Sequence, residues 1–582
     1  MSEDYDIRDF EAISDSFYKR HMAETGKELN MSIRLMIEPL ADIHYNSDAG
    51  SDFPKGNKYY LYGFIAVGIF ILLVACINYI NLATARASRR AGEVGMRKIL
   101  GSGKARLITQ FLGESITISF IAMLLGCCLV QLAFIATPIN QLLGTTLTLD
   151  LTDNPMLAVW MLLFILGFGF ISGIYPALYL SSIAPLSALA RFKSGKKSIK
   201  LRELLVLVQF IISVTVIACT LLMALQMKYI YKKSLGFDKE NKLIVTLRTA
   251  DTIDKVPALK KELLAKSNIL GVSICDKVPG NIGGLSALMI DNNDGVPEQI
   301  PAKEMSVGKD FLEVMGIELT AGRGFSEMPF NSVLVNEAMV NKMGWEQPIG
   351  KNISIIGNHI ATVTGVVKDF HYESLKSDIR PIVMRRLVAD TRNVPPPQRT
   401  SMTMFLVLNL APENIPDTLH FLENRFEEFD PRHPFEFEFL EDSLNKLYLS
   451  EQNQMALIGT FAVICIFISC IGLFGLTGFT TEQRKKEIAI RKISGASTTQ
   501  IIVMLTRNIE LLVLGGAVIA SLIAYYAIDT WLTDFRYRIN MNENLWIFLI
   551  AAAVAITITF ITVAIQSFRI ARSNPINSIR YE

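Results

Sequence analysis

The sequence has few of the residues from which metal and redox sites are built. Its 582 residues include seven cysteines and six histidines, and no C-x-x-C or H-x-x-x-H spacing occurs. Six of the cysteines lie in apolar runs, where a thiol packs as a small hydrophobic group. The seventh, Cys275, has no cysteine near it in its polar region, so we expect no disulfide there. We therefore expect neither a metal site nor a cofactor.

Neither positive nor negative charge is in large excess. The 57 Lys and Arg residues nearly balance the 55 Asp and Glu residues, which gives a formal net charge of +2. Without a general basic field, nucleic acid is not an expected partner. Hydrophobic residues make up 51% of the chain and the mean hydropathy is +0.34, which excludes a single soluble domain.

Two functional signals are also missing. Residues 1–57 are polar and contain no basic segment leading into an apolar stretch, so no signal peptide is predicted. The stretch 101–105 is similar to a phosphate-binding loop, but Lys98 and Ala105 stand where the Walker pattern requires Gly and Ser or Thr. The chain is therefore not expected to be an enzyme.

Long apolar runs are abundant. A helix needs about 20 apolar residues to cross the hydrocarbon core of a bilayer. These runs are continuous rather than alternating, which predicts membrane-spanning helices instead of barrel strands. Seven runs qualify, at 59–83, 108–136, 156–181, 204–227, 455–479, 501–527 and 545–567.

The connections between these runs predict their orientation. The first, third and fifth connections and the C-terminal tail are rich in Lys and Arg, whereas the second, 137–154, has neither, and the sixth has only Arg536 and Arg538. Basic connections stay in the cytoplasm. We therefore expect the odd connections and the C-terminus to be cytoplasmic, and the N-terminus and the long fourth connection to lie outside.

Charge is nearly absent from the middle of the predicted spans. Glu114 and Glu510 lie in the first turns of their helices near the cytoplasm, where the helix dipole tolerates an acid. An ion-driven transporter needs buried carboxylates near the bilayer centre, so that class is disfavoured. Gradient-dependent activity without an ATPase would reveal it.

The fourth connection, residues 230–452, alternates short strands and helices. Two small βαβ-type lobes are one arrangement that this order allows, and an α+β extracytoplasmic domain is the predicted class. The loop 393–397 is rich in proline. Strands are predicted at 241–248, 271–275, 332–335, 361–367, 404–410 and 435–440, and helices around 256–263, 311–315, 336–343 and 419–429.

A charged decapeptide occurs twice, each time between two apolar runs. The first copy is 93–102, EVGMRKILGS, and the second is 487–496, EIAIRKISGA, at an offset of 394 residues (487 minus 93). We call these the first and second connectors. Each has a Glu and an Arg spaced i,i+4 and ends at a Gly suited to a helix C-terminus. The residues concerned are Glu93, Arg97, Lys98 and Gly101, with Glu487, Arg491, Lys492 and Gly495.

Two interpretations of the connectors stay open. Each could be an interfacial helix held by basic residues near lipid head groups. Each could instead be a coupling helix that docks into a cytoplasmic ATPase, an interpretation that rests mostly on the family resemblance given below and is supported by the near-identity of the two copies. The repeat also links Ser182–Leu189 with Ser573–Ile579, and 36–40 with 439–444.

Small and polar residues inside the spans predict helix packing. Gly472, Gly475 and Gly478 form a small-residue face, which packs against another helix or against a partner membrane subunit. Asn78 and Asn81 are expected to hydrogen-bond to a neighbouring helix rather than to bind cargo.

In the fourth connection, Asp369 and His371 are a candidate acid–base pair. No third group follows at a usable spacing, so we expect the pair to form a structural turn after a strand.

The sequence resembles the MacB/FtsX-type permeases of ABC transporters, close to the large duplicated permeases of Bacteroidetes-like bacteria. The likeness covers nearly the whole chain and rests on the two connectors together with other stretches in order. These are 315–317, 322–325, 365–372 and 472–476. The family pattern has eight spans in two sets of four, each set with an extracytoplasmic domain after its first span.

The chain departs from that pattern at its N-terminus. We expect an N-terminally truncated permease, and a fragment or a mis-started gene model explains it better than a naturally shortened permease. The expected divisions are 1–57 as the C-terminal remnant of a first periplasmic domain, 58–191 as a first FtsX-like three-helix membrane unit, 192–229 as a basic cytoplasmic linker with the fourth span, 230–452 as a MacB-like periplasmic core domain, and 453–582 as a second FtsX-like three-helix unit.

The resemblance implies a function. It implies a permease subunit, in a bacterial inner membrane, that couples ATP hydrolysis by a separate ATPase to extracytoplasmic work such as efflux of antimicrobial compounds or export of lipoproteins or peptides. The implied partners are the ATPase, a second permease copy or paralogue, membrane lipid, and a periplasmic adaptor or outer-membrane component. The alternative is an ATP-driven regulator of a cell-wall hydrolase or sensor kinase that moves no cargo.

Overall fold

The computed structural model of the protein describes residues 7–23, 38, 43, 58–137, 148–149, 154–182, 196–325, 331–355, 359–387 and 403–571. Its contacts divide it into two units. The helical unit comprises Tyr59–Tyr231, Ser450–Asp534 and Arg538–Glu582. The α+β unit comprises chiefly Lys232–Leu449, and the short segment Phe535–Tyr537 groups with it.

The elements are numbered here in chain order. The helices are α1 (Ile7–His21), α2 (Lys58–Ile99), α3 (Lys104–Ala136), α4 (Pro155–Ser181), α5 (Lys196–Lys232), α6 (Ala250–Leu263), α7 (Phe311–Met315), α8 (Glu337–Met343), α9 (Ile415–Phe429), α10 (Leu440–Lys446), α11 (Leu449–Gln483), α12 (Lys485–Ile493), α13 (Thr498–Leu532) and α14 (Trp546–Ala571). The strands are β1 (Lys242–Leu247), β2 (Ile269–Cys275), β3 (Ser286–Asp291), β4 (Pro297–Val307), β5 (Leu319–Gly322), β6 (Ser332–Asn336), β7 (Asn352–Ile355), β8 (His359–Val367), β9 (Ile382–Arg386), β10 (Met404–Leu410) and β11 (Phe437–Phe439).

The described residues include seven helices long and apolar enough to cross a membrane, which are α2, α3, α4, α5, α11, α13 and the segment containing α14. The predicted class, a helical polytopic membrane protein with an α+β extracytoplasmic domain, is confirmed. Several helices extend well past the apolar runs. In α2 the candidate span Leu61–Arg86 occupies only part of a 42-residue helix.

The helical unit is held by small residues between close helices. On α4, a Cβ added at Gly173 would lie 2.6 Å from the Ser115 side chain of α3, so glycine permits the close approach. The second half packs around α5, whose Val214, Ala218 and Leu222 are buried in a cluster with α11, α13 and α14.

The α+β unit is built on one sheet, in the order β11-β1-β10-β2-β4-β3-β7-β8-β6-β9, with β5 paired to β8. Most pairs are antiparallel, but β4 pairs with β9 and β6 with β8 in parallel. Strand β4 pairs with β3 through its first half and with β9 through its second half. The two parts of the sheet are joined between β2 and β4 by a single residue pair, Cys275 with Val307. In one part β1 and β2 both pair antiparallel with β10, and in the other β6 and β8 pair in parallel.

Buried apolar clusters lie on this sheet. Cys275 at the end of β2 is enclosed in one of them, and burial raises the pKa of its thiol. Asn336 is the N-cap of helix α8, and its side chain accepts a hydrogen bond from the Met339 N–H. This cap places the end of β6 and the start of α8 beside the 369–372 turn.

One sequence expectation needs correction, and several fall outside the description. The first connector is not a separate short helix, because α2 continues through it to Ile99. The second connector lies largely in a separate helix, α12, which begins at Lys485 and ends at Ile493. The repeat segments 183–189 and 573–579, the loop 393–397, and most of 1–57 with its 36–40 segment lie outside the described residues.

Candidate functional site

The two connectors begin with the same ion pair. Arg97 Nη2 lies 2.7 Å from Glu93 Oε1, and Arg491 Nη2 lies 3.0 Å from Glu487 Oε1, both one helical turn apart. All four side chains are substantially exposed to solvent. Pairs of this kind contribute about 0.3–0.5 kcal/mol, so they steady the helix locally and do not determine the fold.

The connectors also end in the same way. Gly101 and Gly495 adopt φ of +91° and +93°. The Ser102 N–H donates to Arg97 O at 2.9 Å, and the Ala496 N–H donates to Arg491 O at 3.0 Å. This is the Schellman pattern, in which a left-handed glycine lets the chain turn back on the last carbonyls. Both connectors therefore end in the same helix C-terminal motif.

The inward faces match as well. Val94 is buried against α3 and α4, in a cluster with Leu107 and Phe111. Its equivalent at the offset of 394, Ile488 (488 minus 94), is buried against Ile501 of α13. Each connector therefore packs against the helices of its own half through an equivalent buried side chain.

The outward faces carry exposed apolar side chains. Met96 is 53% exposed and Ile99 is 55% exposed in the first connector. Their equivalents, Ile490 and Ile493, are 54% and 63% exposed. Residues spaced i,i+3 share one face of a helix. We call these four residues the twin apolar faces. They were not predicted from the sequence, although the shared spacing of apolar residues in the two decapeptides was a signal for them.

The surroundings of the two connectors differ. In the first half, Lys98 Nζ donates to Ser181 O at 2.6 Å, Arg97 Nη1 donates to Gln110 Oε1 at 2.7 Å, and Arg90 pairs with Glu114 at 2.6 Å. In the second half, Ser497 and Gln500 form a capping box at the start of α13. A cavity of about 410 Å³ adjoins the second connector, lined by Arg491, Ser494, Gly495, Ala496, Gln500, Ile501 and Met504.

The three glycines singled out in α11 face side chains of the same chain. A side chain added at Gly472 would overlap Asn78, one at Gly475 would overlap Leu82, and one at Gly478 would overlap Gln566. Glycine is needed where helices approach this closely. The face therefore packs against α2 and α14 of its own chain.

Asn78 makes the hydrogen bond expected of it, because its Nδ2 donates to Ile468 O of α11 at 2.5 Å. Asn81 is buried. Neither residue lies at an exposed surface where cargo could reach it.

Asp369 and His371 have structural partners. Asp369 Oδ1 accepts hydrogen bonds from Asn336 Nδ2 and from the Ala338 N–H, both at 2.8 Å. The His371 ring packs edge-on against Tyr537 at 4.7 Å between centroids. Burial first, and Lys233 second, lower the pKa of His371 to about 4, so its imidazole is neutral at pH 7. Burial is also the main cause that raises the pKa of Asp369. Neither group is arranged as an acid–base pair.

Among the residues that the structure describes, no group of three or more His, Cys, Asp or Glu side chains is placed to hold a metal ion.

Comparison with protein families finds two matches in this chain. The model of the FtsX-like permease C-terminal region matches residues 65–185 and 459–575. Each match contains one connector. The repeat seen in the sequence is therefore a repeat of this region.

Curated relatives match over a shorter stretch. The macrolide export ATP-binding/permease protein MacB of Rhodopseudomonas palustris strain HaA2 is 29% identical over 126 residues, covering 22% of this chain and 18% of the relative. MacB of strain BisB18 is 30% identical over 127 residues, with the same shares. The chain thus aligns with less than a fifth of the length of these relatives.

Solved structures also align. The periplasmic region of MacB from Actinobacillus actinomycetemcomitans aligns at 14% identity and a TM-score of 0.27, covering 38% of this chain and 97% of that one. The extracellular domain of the noncanonic ABC-type transporter YknZ from Gram-positive bacteria aligns at 11% identity and a TM-score of 0.23, covering 34% of this chain and 98% of that one.

Proposed function

The chain belongs to the MacB/FtsX-type permeases, and from that premise we propose that it is the membrane subunit of an ABC transporter whose ATPase is a separate polypeptide. The connectors would be the docking sites of that ATPase. ATP binding would close an ATPase dimer, displace both connectors, and move the long helices that carry them. The work would be done on the far side of the membrane.

The observation that carries this proposal is the twin apolar faces. Four large apolar side chains are exposed at equivalent positions, each pair on a helix fixed by an ion pair at one end and a left-handed glycine at the other. Exposed apolar groups on a rigid helix are suited to binding a protein groove. The same surface presented twice suits a partner that has two identical subunits.

The interpretation of the connectors as helices held at lipid head groups accounts for fewer of their shared features. Basic residues near head groups would favour an interfacial helix. They do not require the same apolar spacing, ion pair and C-terminal glycine in both halves. We therefore assign the connectors to protein docking, with membrane lipid as the surrounding medium.

The orientation and the site of work belong to the same proposal. Lys and Arg are concentrated around the connectors, so we place the connectors on the cytoplasmic side of a bacterial inner membrane. The α+β unit then lies outside, where it would act on a cargo or meet an adaptor or an outer-membrane component. A unit as large as Lys232–Leu449 favours efflux or lipoprotein handling over regulation alone.

The test is co-purification of ATPase activity from gently solubilised membranes. One variant replaces the twin apolar faces by serine (Met96→Ser, Ile99→Ser, Ile490→Ser, Ile493→Ser). The matched control replaces two exposed leucines of the α+β unit (Leu264→Ser, Leu270→Ser). Loss of buried apolar anchors costs more than about 1 kcal/mol each at an interface, so at least a tenfold fall in bound ATPase is expected for the first variant.

The control should retain the ATPase at the wild-type level. If no ATPase accompanies the wild-type protein, or if the serine variant holds as much as the control, the connectors are not docking sites and the proposal is wrong.

A further inference from the structure

The two repeated halves differ in charge at one pair of equivalent positions. In the first half, Arg90 Nη1 lies 2.6 Å from Glu114 Oε2, so α2 and α3 are joined by an ion pair. The offset of 394 places Arg484 at the position of Arg90 (484 minus 90). The same offset places Asn508 at the position of Glu114 (508 minus 114). The second half therefore keeps the arginine and lacks the carboxylate that balances it.

A cavity of about 250 Å³ lies at this place in the second half. It is lined by residues of α5, α11 and α13, together with Arg484, which stands between α11 and α12. Two arginines and one carboxylate give the lining an excess of positive charge, and arginine forks bind phosphate oxygens with paired hydrogen bonds. The cavity is therefore suited to an anion. Its charged and polar lining consists of Arg202, Glu203, Thr480, Arg484 and Asn508.

The remainder of the lining is apolar. Val206 of α5, Leu476 of α11 and Leu512 of α13 contribute to it, and all three helices are long and apolar enough to cross a membrane. A matching ligand has an anionic group joined to an apolar body. Inorganic phosphate has only the first of these, whereas an anionic phospholipid has both. Basic pockets between membrane helices bind lipid head groups of this kind.

The cavity adjoins the start of the helix that carries the second connector. The Arg484 N–H donates to Thr480 O at 3.2 Å, and Arg484 O accepts from the Ile488 N–H at 2.9 Å. Arg484 thus joins the end of α11 to the start of α12. In the first half, α2 runs through Arg90 without a break as far as Ile99. A ligand held by Arg484 would therefore act where only the second half has a break between helices.

We propose that this cavity binds an anionic phospholipid, with the lipid phosphate on Arg202 and Arg484 and the acyl chains along the apolar lining. The exposed Glu203 carboxylate is able to accept a hydrogen bond from a head-group hydroxyl. The first half offers no equivalent site at Arg90, because Glu114 already occupies that guanidinium. The lipid would come from the cytoplasmic leaflet, a placement that rests on the proposed function.

The test is lipid binding to the purified full chain in a neutral detergent, read by native mass spectrometry. The probes are dioleoylphosphatidylglycerol, dioleoylphosphatidylcholine and inorganic phosphate. Arg484→Gln removes the arginine of the site. Asn508→Glu leaves that arginine in place and installs the carboxylate of the first half. The matched control is Arg90→Gln, which removes the equivalent arginine of the first half.

Wild type and Arg90→Gln should bind phosphatidylglycerol with the same affinity. Arg484→Gln and Asn508→Glu should each bind it at least about tenfold more weakly, because each withdraws a charge-assisted hydrogen bond from the phosphate. Phosphatidylcholine should bind the wild type more weakly than phosphatidylglycerol does, since its choline group offsets the phosphate charge. Inorganic phosphate should not displace the bound lipid.

Wild-type affinity for phosphatidylglycerol in Asn508→Glu would overturn the proposal. Equal binding of the two lipids to the wild type would also overturn it, and displacement by inorganic phosphate would show a site for a small anion instead. Asn508→Glu reproduces a pair that the first half already contains, so it tests the site even where Arg484→Gln does not fold. Binding is read on the permease alone, so a missing ATPase would defeat the proposed function and leave this result unaffected.

Discussion

Asn336 and Asp369 are joined by a hydrogen bond of 2.8 Å from the asparagine Nδ2 to the aspartate Oδ1. The Asn336 side chain also accepts from the Met339 and Ile382 N–H groups, each at 3.1 Å. One buried side chain thereby ties the start of α8, the end of β8 and the start of β9. The role of Asp369 is to complete this junction.

This junction predicts unequal effects of two substitutions. Asn336→Ala removes a helix cap and leaves the buried Ile382 N–H without its partner, so it should destabilise the protein by about 2–4 kcal/mol. Asp369→Asn keeps an oxygen for the Ala338 N–H and should cost about 1 kcal/mol or less. Thermal unfolding of the solubilised protein with limited proteolysis of the α+β unit measures both. An equal loss would show that Asp369 does more than complete the junction.

His371 predicts a pH dependence of stability. Its folded pKa of about 4 lies below the ordinary value of 6.5, so the unfolded chain binds more protons between these values. Stability from this group is complete above about pH 6.5 and is lost as the pH falls toward 4.

His371→Phe keeps a ring against Tyr537 and removes the titration. The measurement is the melting temperature of the wild type minus that of the variant, followed from pH 7.5 to pH 4.5. Carboxylates that titrate in this range cancel in the difference. A difference that stays constant with pH would contradict a buried neutral imidazole.

The connector glycines predict matched effects in the two halves. Gly101→Ala and Gly495→Ala each force a left-handed backbone on a residue with a Cβ, at about 1–2 kcal/mol. Asparagine tolerates this conformation better and should cost less. Hydrogen exchange at the Ser102 and Ala496 N–H groups reports the loss.

Gly103→Ala is the control for the connector glycines, because Gly103 has an extended backbone and open space around it. Equal rates of hydrogen exchange in the alanine and asparagine variants would contradict a shared C-terminal motif in the two connectors.

The packing of α4 against α3 predicts that two glycine substitutions on α4 differ in their effect on stability. Gly173→Ala would place its Cβ 2.6 Å from Ser115, whose hydroxyl bonds to Phe111 O and to Tyr79. Overpacking of this kind costs about 1–3 kcal/mol. Gly167→Ala on the same helix meets nothing within 4 Å and should be neutral. The midpoint of thermal unfolding in detergent compares the two, and similar midpoints would contradict the packing described.

The elements that could be predicted from sequence are those with an undisturbed pattern. Helix α7 and strand β10 have the predicted bounds, 311–315 and 404–410, because the apolar pattern of each element is uninterrupted from end to end. Strand β4 was missed, since it carries the buried charges Lys303 and Glu304, which are paired with Glu373 and Arg385 at 2.7 and 3.1 Å. Such partners come from distant parts of the chain, and no local pattern predicts them.

The candidate site shows the same limit. The two decapeptides were visible as a repeat, but whether each is a separate helix was not. Helix α2 continues into the first connector, whereas α11 ends at Gln483 before the second. The contact between Asn78 and Gly472 depends on which helix faces cross, which is a tertiary property.

The proposed function requires that the same ATPase docks on both connectors. The most direct test places a photo-cross-linking amino acid at position 99 or 493 in living cells and identifies the attached protein by mass spectrometry. We expect the same ATPase polypeptide at both positions and none from position 360, an exposed site on the α+β unit. Cross-links to lipid alone at both connectors, or to unrelated proteins at the two positions, would contradict it.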